Sequence, residues 1–408
     1  MFLTVGYYVG QDTPFAAIRT LPPAGKLTWG PGGLIVASQP RRFATVSMTR
    51  ELAIEEAIER TRTAVARCLP DDDAPFLLPV SGGRDSRQIL LELIRAGRAP
   101  AAGLTVRQYP TDWGGDAPYG EGLCRALGIK HRTLQPGPMI AAEWRKNRLT
   151  NYCADEHAWY LPVVDALRGA SAFTYDGLGG GMLLHRDFMT RAVRRAWRAG
   201  TWDELAAKLG LRDEYGTPRS APLVEPSLRS ALGPDVAAAR IRRELGRHLD
   251  ADNPYLSYTL NNRTVREIAL VPTSMLASVT TAFTPFTDPD FVAFAASIPN
   301  ELAGTRLHTE IIATAFPKVA SVPYVPKRRP AADRRFRRRT ARDLAGLLRR
   351  RSDGSLVDRS GLLRRATISS LTGDGWLTWG RRAALTAYLV QLESIRRGES
   401  PDRLDATD

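Results

Sequence analysis

The chain has 408 residues, of which 43% are hydrophobic and 25% charged, close to globular averages, which excludes a fibrous or wholly disordered chain. Its 57 basic and 43 acidic residues give a net charge of +14, which favours an anionic partner such as a nucleotide, an acidic peptide or nucleic acid. No stretch approaches the roughly 18 apolar residues of a membrane span, and because the first residues lack a basic region followed by an apolar one, we expect no secretory signal. Cys68, Cys124 and Cys153 are widely spaced, odd in number and without a C-x-x-C pair, which argues against a disulfide framework or a zinc cluster, so we expect a cytoplasmic protein without membrane contact.

Short β-prone runs mark the first 47 residues: FLTVGYYV, KLTWG, GLIVAS and FATVSM. The spacing of apolar residues predicts a helix over 48–68, with Thr49 as its N-cap. The apolar run over 75–80 predicts a buried strand. A helix follows the next few residues and is closed by Gly97.

Strands and helices then alternate. Strands are predicted over 103–109, 131–134 and 171–175, and a helix over 120–129. This alternation predicts an α/β fold, a doubly wound parallel sheet with helices on both faces. Residues 187–270 are predicted to be mostly helical, with short helices over 288–299 and 306–316 and two more within 340–397.

The segment SGGRDS, residues 81–86, lies between the first predicted parallel strand and its helix. Glycines let the backbone approach a ligand closely, and the N–H groups at a helix start favour phosphate. Ser81 and Ser86 can donate hydroxyl bonds to phosphate oxygens, and Asp85 can hold a Mg²⁺ ion that bridges them. The loop lacks the Walker A pattern. The alternative is a tight turn without a ligand.

SGGRDS resembles the S-G-G-x-D-S pyrophosphate loop of the N-type ATP pyrophosphatases. Within that superfamily, about residues 50–330 resemble the synthetase domain of asparagine synthetases and their relatives, the β-lactam synthetases and lasso-peptide macrolactam cyclases. The segments that carry this likeness are DAPY at 116–119 leading to ALGIKH, DGLGGG at 176–181, TPFTDPDFVAFAASIPNEL at 284–302 and VPYVPKRR at 322–329.

The resemblance implies three regions. Residues 48–330 would form the ATP-pyrophosphatase-type domain, a doubly wound parallel sheet with helical additions. Residues 1–47 would be a short β-rich remnant of a glutaminase-type domain, and residues 331–408 a basic helical extension.

The resemblance also implies a reaction with ATP and Mg²⁺ as cofactors. A small-molecule or peptide carboxylate would attack ATP to give an acyl-adenylate and pyrophosphate, and ammonia or an amine would then displace AMP to form an amide. Lys327 would be catalytic and Asp85 would bind the metal. The implied ATP contacts are Val80, Ser81, Gly82, Gly83, Asp85, Ser86, Val106, Asp176 and Gly177.

The chain departs from the family pattern at several positions. Phe2 replaces the nucleophilic cysteine of the glutaminase, so ammonia would come from solution or from a separate glutaminase partner. Gly181 stands where an acidic residue usually helps to hold Mg²⁺, and Asp176 is the nearest alternative carboxylate. Thr281 and Phe283 replace an acid–arginine pair, which disfavours an aspartate-like substrate.

Three alternative functions stay open at this point. The first is a macrolactam cyclase acting on a precursor peptide. The second is a nucleotide-binding relative without catalysis. The third is an RNA-modifying enzyme with the same type of loop, which the absence of a catalytic cysteine pair opposes.

Other charged clusters have two interpretations each. The arginine-rich segment 328–351 indicates a solvated helix face or a patch for an acidic peptide, and because Phe336 is its one aromatic residue, nucleic acid is least favoured. His157 beside Asp155 and Glu156 is a structural histidine or part of a metal or acid–base cluster, and the resemblance places Asp155 and Glu156 in the substrate-pocket loop. A third set would line the cleft or form surface pairs: Asn262, Arg263, Arg266 and Glu267.

Overall fold

The structure is a computed structural model that describes residues 1–38, 43–71, 73–107, 116–186, 191–210, 221–232, 234–326, 334–349, 355–374 and 381–399. The elements in chain order are α1 (Phe2–Val5), β1 (Gly25–Gly30), β2 (Gly33–Ser38), α2 (Arg50–Arg67), β3 (Leu77–Pro79), α3 (Asp85–Arg95), β4 (Ala102–Val106), α4 (Asp116–Ala126), β5 (His131–Leu134), α5 (Met139–Leu149), α6 (Leu161–Leu167), β6 (Phe173–Tyr175), α7 (Arg191–Arg198), α8 (Trp202–Gly210), α9 (Pro234–Leu245), α10 (Pro254–Thr259), β7 (Thr281–Phe283), α11 (Pro289–Ser297), α12 (Thr305–Ala315), α13 (Arg334–Arg349), α14 (Arg359–Thr372) and α15 (Arg381–Arg396). Wider helical turns span Gly181–His185, Leu260–Ile268 and Val271–Leu276.

Two parallel sheets form the centre of the molecule. The first has the order β3-β4-β5, and the second pairs β6 with β7. Side-chain bonds join β3 to β6: Thr174 Oγ1 donates to the Leu77 carbonyl at 2.8 Å, and the Leu77 N–H donates to Ser171 Oγ at 3.0 Å. Strands β4 and β5 therefore follow β3 on one side, and β6 lies on the opposite side of β3.

Both faces of the first sheet are covered. Phe76, Leu78 and Val80 belong to a buried cluster that also includes residues of α2, α3, α11 and α12. Leu77, which points the other way because strand side chains alternate, packs with Leu104 in a second cluster that includes residues of α6. The predicted α/β architecture with parallel strands is confirmed.

Several predicted local features are confirmed. Thr49 caps α2 by accepting from the Leu52 N–H at 3.2 Å. Gly97 follows α3 with φ +78°, a left-handed conformation that glycine adopts at little cost. KLTWG and GLIVAS form the antiparallel hairpin of β1 and β2, and the third parallel strand spans His131–Leu134 as predicted.

Other local predictions are wrong. FLTVGYYV begins with the helical turn α1 instead of a strand, because Phe2 stacks on Tyr388 with ring centroids 4.4 Å apart and tertiary packing overrides β propensity. FATVSM, residues 43–48, forms no strand. The helix predicted over 120–129 begins earlier, at Asp116. Strand β7 and helix α14 were not predicted.

The arginine-rich segment contains α13, whose described part is amphipathic. Thr340, Ala341, Leu344 and Leu348 are buried and Arg337 and Arg338 are half-buried, whereas the other described arginines of the helix are exposed: Arg334, Arg335, Arg339, Arg342 and Arg349. These exposed arginines fit both the predicted solvated face and the predicted patch for an acidic peptide. Among the described helices, none combines the length and the apolar character needed to cross a membrane.

Candidate functional site

Residues 81–86 form a closed turn between β3 and α3. The Ser81 N–H donates to Ser86 Oγ at 3.0 Å, and the Gly83 N–H donates to Ser81 Oγ at 3.1 Å. The Gly82 N–H donates to a carboxylate oxygen of Asp116 at 2.9 Å. One loop amide therefore already binds an anionic oxygen. Burial raises the pKa of Asp116, and the bond from Gly82 opposes that rise.

Gly82 is required by close packing. A Cβ at this position would lie 2.7 Å from Cβ of Val325 and 2.8 Å from Cβ of Tyr119, both shorter than real contacts of this kind. The loop can therefore pass between these two side chains only as glycine.

The glycine-rich turn after β6 packs against Asp85. A Cβ at Gly177 would lie 2.7 Å from Cβ of Asp85, and one at Gly180 would lie 2.8 Å from its carboxylate. The Gly181 N–H donates to Asp85 Oδ2 at 3.0 Å. At the position where the resembled family has an acid, this chain therefore places a backbone donor against Asp85. We call residues 81–86 and 176–181 together the loop wall.

Asp176 gives the loop wall a second carboxylate. It is half-buried and accepts from the Leu178 N–H at 2.8 Å. Burial raises the pKa of Asp176 to about 6, and this bond acts in the opposite direction.

A cavity of about 350 Å³ lies beside the loop wall. It opens at the carboxyl ends of β3, β4 and β6, where the strand order reverses, which is the usual place for a ligand in open α/β sheets. Its volume is within the range of small-molecule sites. The predicted ATP contacts that line it are Val80, Ser81, Asp85, Ser86, Val106, Asp176 and Gly177. Gly82 and Gly83 do not line it, and the predicted catalytic Lys327 lies outside the described residues.

A buried arginine ties a later segment to the loop wall. Arg87 on α3 is fully buried and donates to the carbonyls of Val322 and Pro323, both at 2.7 Å. Its guanidinium lies over the Tyr324 ring at 3.8 Å, and that of Arg84 lies over the same ring at 4.3 Å. The described part of the segment VPYVPKRR, residues 322–326, is thus bound to the helix that the loop opens.

The same segment bonds directly to the loop. The Val325 N–H donates to the Gly82 carbonyl at 3.0 Å. Lys327 follows Val325 by two residues in the sequence.

A second part of the site consists of charged side chains instead of backbone amides. We call this set the charged wall: Glu156, His157, Arg263 and Glu267. His157 and Arg263 line the cavity. Arg263 lies 3.4 Å from Glu156 Oε1 and 3.9 Å from Glu267 Oε2. His157 Nδ1 is 3.7 Å from Glu267 Oε1, which also accepts from the Glu156 N–H at 3.2 Å.

Burial dominates the protonation of the charged wall. Loss of solvation, followed by the nearby Glu156 charge, raises the pKa of Glu267 to about 8. Burial lowers the pKa of His157 to about 4. His157 also has φ +80°, a conformation that non-glycine residues adopt rarely, so its backbone is strained where it meets the cavity.

The four residues that the sequence placed on one helix do lie on one helical turn, but they make two different kinds of contact. Arg263 and Glu267 belong to the charged wall, and both are buried, so the surface-pair interpretation is wrong for them. Arg266 instead donates to the carbonyls of Gly10 and Asp12 at 2.7 and 2.5 Å. Asn262 accepts from the Gly10 N–H at 2.7 Å. These two residues bind the N-terminal segment.

A scan against protein-family models and a search of curated proteins found no match to this chain. The cavity and the residues that line it are therefore the features that bear on function.

Proposed function

We propose that this chain is an ATP-dependent, AMP-forming amide ligase of the asparagine-synthetase type that lacks glutaminase activity of its own. The observation that carries the proposal is the meeting of two glycine-rich turns at Asp85, beside a cavity at the reversal point of the strand order. Backbone amides and two serine hydroxyls surround this point, and one amide already bonds a carboxylate oxygen, as it would a phosphate oxygen.

The donor set fits magnesium. Asp85 and Asp176 both line the cavity, and Mg²⁺ prefers oxygen ligands completed by phosphates and water. Bound there, the ion would neutralise charge on the leaving pyrophosphate.

The proposed reaction has two displacements. A substrate carboxylate oxygen bonds to the α-phosphorus of ATP while the bond from that phosphorus to the pyrophosphate oxygen breaks. The amine nitrogen then bonds to the acyl carbon, the carbon–oxygen bond to AMP breaks, and the nitrogen loses a proton. Residues 81–86 would orient the triphosphate, and Arg87 would support the segment that leads to Lys327. The substrate that attacks ATP is a small-molecule or peptide carboxylate.

The test combines nucleotide retention with pyrophosphate exchange. Equilibrium dialysis with saturating Mg²⁺ should show ATP bound to the wild-type protein, and a screen of candidate acids with labelled pyrophosphate should identify one that supports exchange. Asp85→Ala should lower exchange by about 100-fold or more. The matched control is Asp165→Ala, which removes a half-exposed carboxylate paired with Arg145. Wild-type exchange in Asp85→Ala would overturn the proposal.

A second candidate is a relative that binds nucleotide without turnover. It is favoured by the Gly181 amide, which occupies the place of a carboxylate next to Asp85. ATP retention without exchange for any acid, in the presence or absence of an amine, would support it against the ligase.

A further inference from the structure

Two histidines meet Asp85 on the side of α12. His185 ends the helical turn that follows the loop wall, and His308 is a fully buried residue of α12. His185 Nε2 lies 2.6 Å from His308 Nδ1, which in turn lies 3.6 Å from Asp85 Oδ1. All three donor atoms lie within 4.8 Å of one another.

A chain of hydrogen bonds fixes which nitrogen of His308 carries a proton. Thr61 Oγ1 donates to the Ala57 carbonyl at 2.7 Å, so it accepts from the Gln88 amide nitrogen at 3.1 Å. The Gln88 Oε1 atom is then left to accept, at 2.5 Å, from His308 Nε2. His308 Nε2 is therefore the protonated nitrogen, and the lone pair of Nδ1 faces His185 and Asp85.

This arrangement is that of a metal-binding histidine. Histidine ligands almost always donate their second N–H to a carbonyl, carboxylate or water, which fixes the ring and its tautomer. Gln88 and Thr61, both fully buried, supply that support before any ion binds. Asp85 is oriented in the same way, since the Gly181 N–H holds Oδ2 while Oδ1 faces His308.

The distances suit a small divalent ion. Bonds of about 2.0–2.2 Å in a tetrahedral site put neighbouring ligand atoms roughly 3.3–3.5 Å apart. The separation of 3.6 Å between Asp85 and His308 is close to this. The two histidine nitrogens are at hydrogen-bond distance, so an ion that replaces the proton between them needs a shift of under about 1 Å, which the half-buried His185 at the end of its turn can make.

We propose that Asp85, His185 and His308 form a binding site for a divalent transition-metal ion of the zinc or cobalt type. Two imidazoles and one carboxylate favour such ions over Mg²⁺, which prefers oxygen ligands. Asp85 links the site to the cavity, because it lines the cavity whereas His185 and His308 do not. The site needs no nucleotide, so the inference goes beyond the proposed function.

The test titrates the full-length, chelator-treated protein with Co²⁺ in the absence of nucleotide and follows visible absorption. We expect one equivalent per chain with the intense bands of a four-coordinate ion, displaced by Zn²⁺. His308→Gln and His185→Gln should each weaken Co²⁺ binding by at least about tenfold, as loss of even a supporting residue does. His248→Gln is the control, because that buried histidine bonds to Ser257 elsewhere.

Since His308 is buried and its variant can fail to fold, His185→Gln provides the decisive measurement. Wild-type Co²⁺ affinity in His185→Gln, or no four-coordinate spectrum in the wild-type protein, would overturn the inference. Both proposals use Asp85, so ATP retention with Mg²⁺ is measured on chelator-treated samples without Co²⁺. The two proposals are separated by His185→Gln, which should lose Co²⁺ binding and keep ATP retention.

Discussion

The loop wall and the charged wall face the same cavity and are built in different ways. The loop wall consists of backbone amides, small side chains and glycines, and at three of these glycines, Gly82, Gly177 and Gly180, an added Cβ would lie under 3 Å from a neighbouring atom. The charged wall consists of side chains from residues more than 100 positions apart, such as Glu156 and Arg263, that neutralise one another out of water. The first offers fixed hydrogen-bond donors, and the second offers groups whose charge depends on their surroundings.

The difference predicts how each wall responds to change. A wall held by close packing should be sensitive to added volume, and the cost of that volume should not depend on pH. A wall held by buried charges should tolerate a change of similar shape and show its effects through pH. Three variants test this contrast.

The largest effect is expected from Arg87→Met, which removes the support of the loop wall. Two partly buried hydrogen bonds from the charged guanidinium to the carbonyls of Val322 and Pro323 are lost, and bonds of this kind to a charged group contribute about 1.5–3 kcal/mol each. We expect the free energy of unfolding in urea to fall by about 2–4 kcal/mol. Arg145→Met is the control, since its pairing with Asp165 is solvent-exposed and such pairs contribute less than about 1 kcal/mol. Equal losses in both variants would contradict the support role of Arg87.

Gly82→Ala should have the next largest effect. The added methyl group overlaps Val325 and Tyr119, and overpacking of this kind costs about 1–3 kcal/mol. Urea unfolding and ATP retention should both weaken, with the same loss at pH 6 and pH 8. Gly122→Ala, in α4 with no atom near its Cβ, should raise stability by up to about 1 kcal/mol. A neutral Gly82→Ala would show that the loop wall is not set by packing.

Glu267→Gln should have the smallest effect of the three variants on stability at acid pH. At higher pH its effect on stability should grow. The folded-state pKa of Glu267 is raised from 4.5 to about 8, so the folded protein binds more protons in this window, and its stability falls as pH rises through it. The amide keeps the shape and does not ionise. We therefore expect near-equal unfolding midpoints at pH 5 and a relative gain for Glu267→Gln by pH 8.

The control for that variant is Glu51→Gln, an exposed position in α2. A difference between Glu267→Gln and wild type that does not vary with pH would show that Glu267 is ionised throughout the range. The charged wall would then resemble an ordinary ion-pair network.

The sequence predicted the loop wall well because its signal is local. A strand, a glycine pair, two hydroxyls and an acid occur within a dozen residues, and their order alone places Ser81 and Asp85 at the carboxyl end of β3. The second turn, which begins at Asp176 after β6, was indicated by the resemblance to the asparagine-synthetase family. Such local signals do not predict the contact between the two turns, because that contact depends on how β6 lies beside β3.

The sequence offered the residues of the charged wall only as open alternatives and gave no sign of the histidine pair, because long-range packing assembles both groups. Arg263 and Glu267 have the spacing of a surface ion pair, and their burial comes from packing against the loop that carries Glu156. His185 and His308 are separated by 123 positions and follow no recognisable motif. Strand β7 was missed because its three residues, Thr281–Phe283, carry no alternating pattern and form a strand only by pairing with β6.

The first dozen residues connect parts of the molecule that are distant in sequence. Tyr8 shares a hydrogen bond of 2.7 Å with Tyr388 of α15, and Gly10 bonds to Asn262, one residue before the cavity-lining Arg263. Because the first dozen residues bond to both regions, local unfolding of α15 should also destabilise the turn Leu260–Ile268 beside the cavity. Hydrogen exchange should show the amides of α15 and of the turn Leu260–Ile268 opening together, as one cooperative unit.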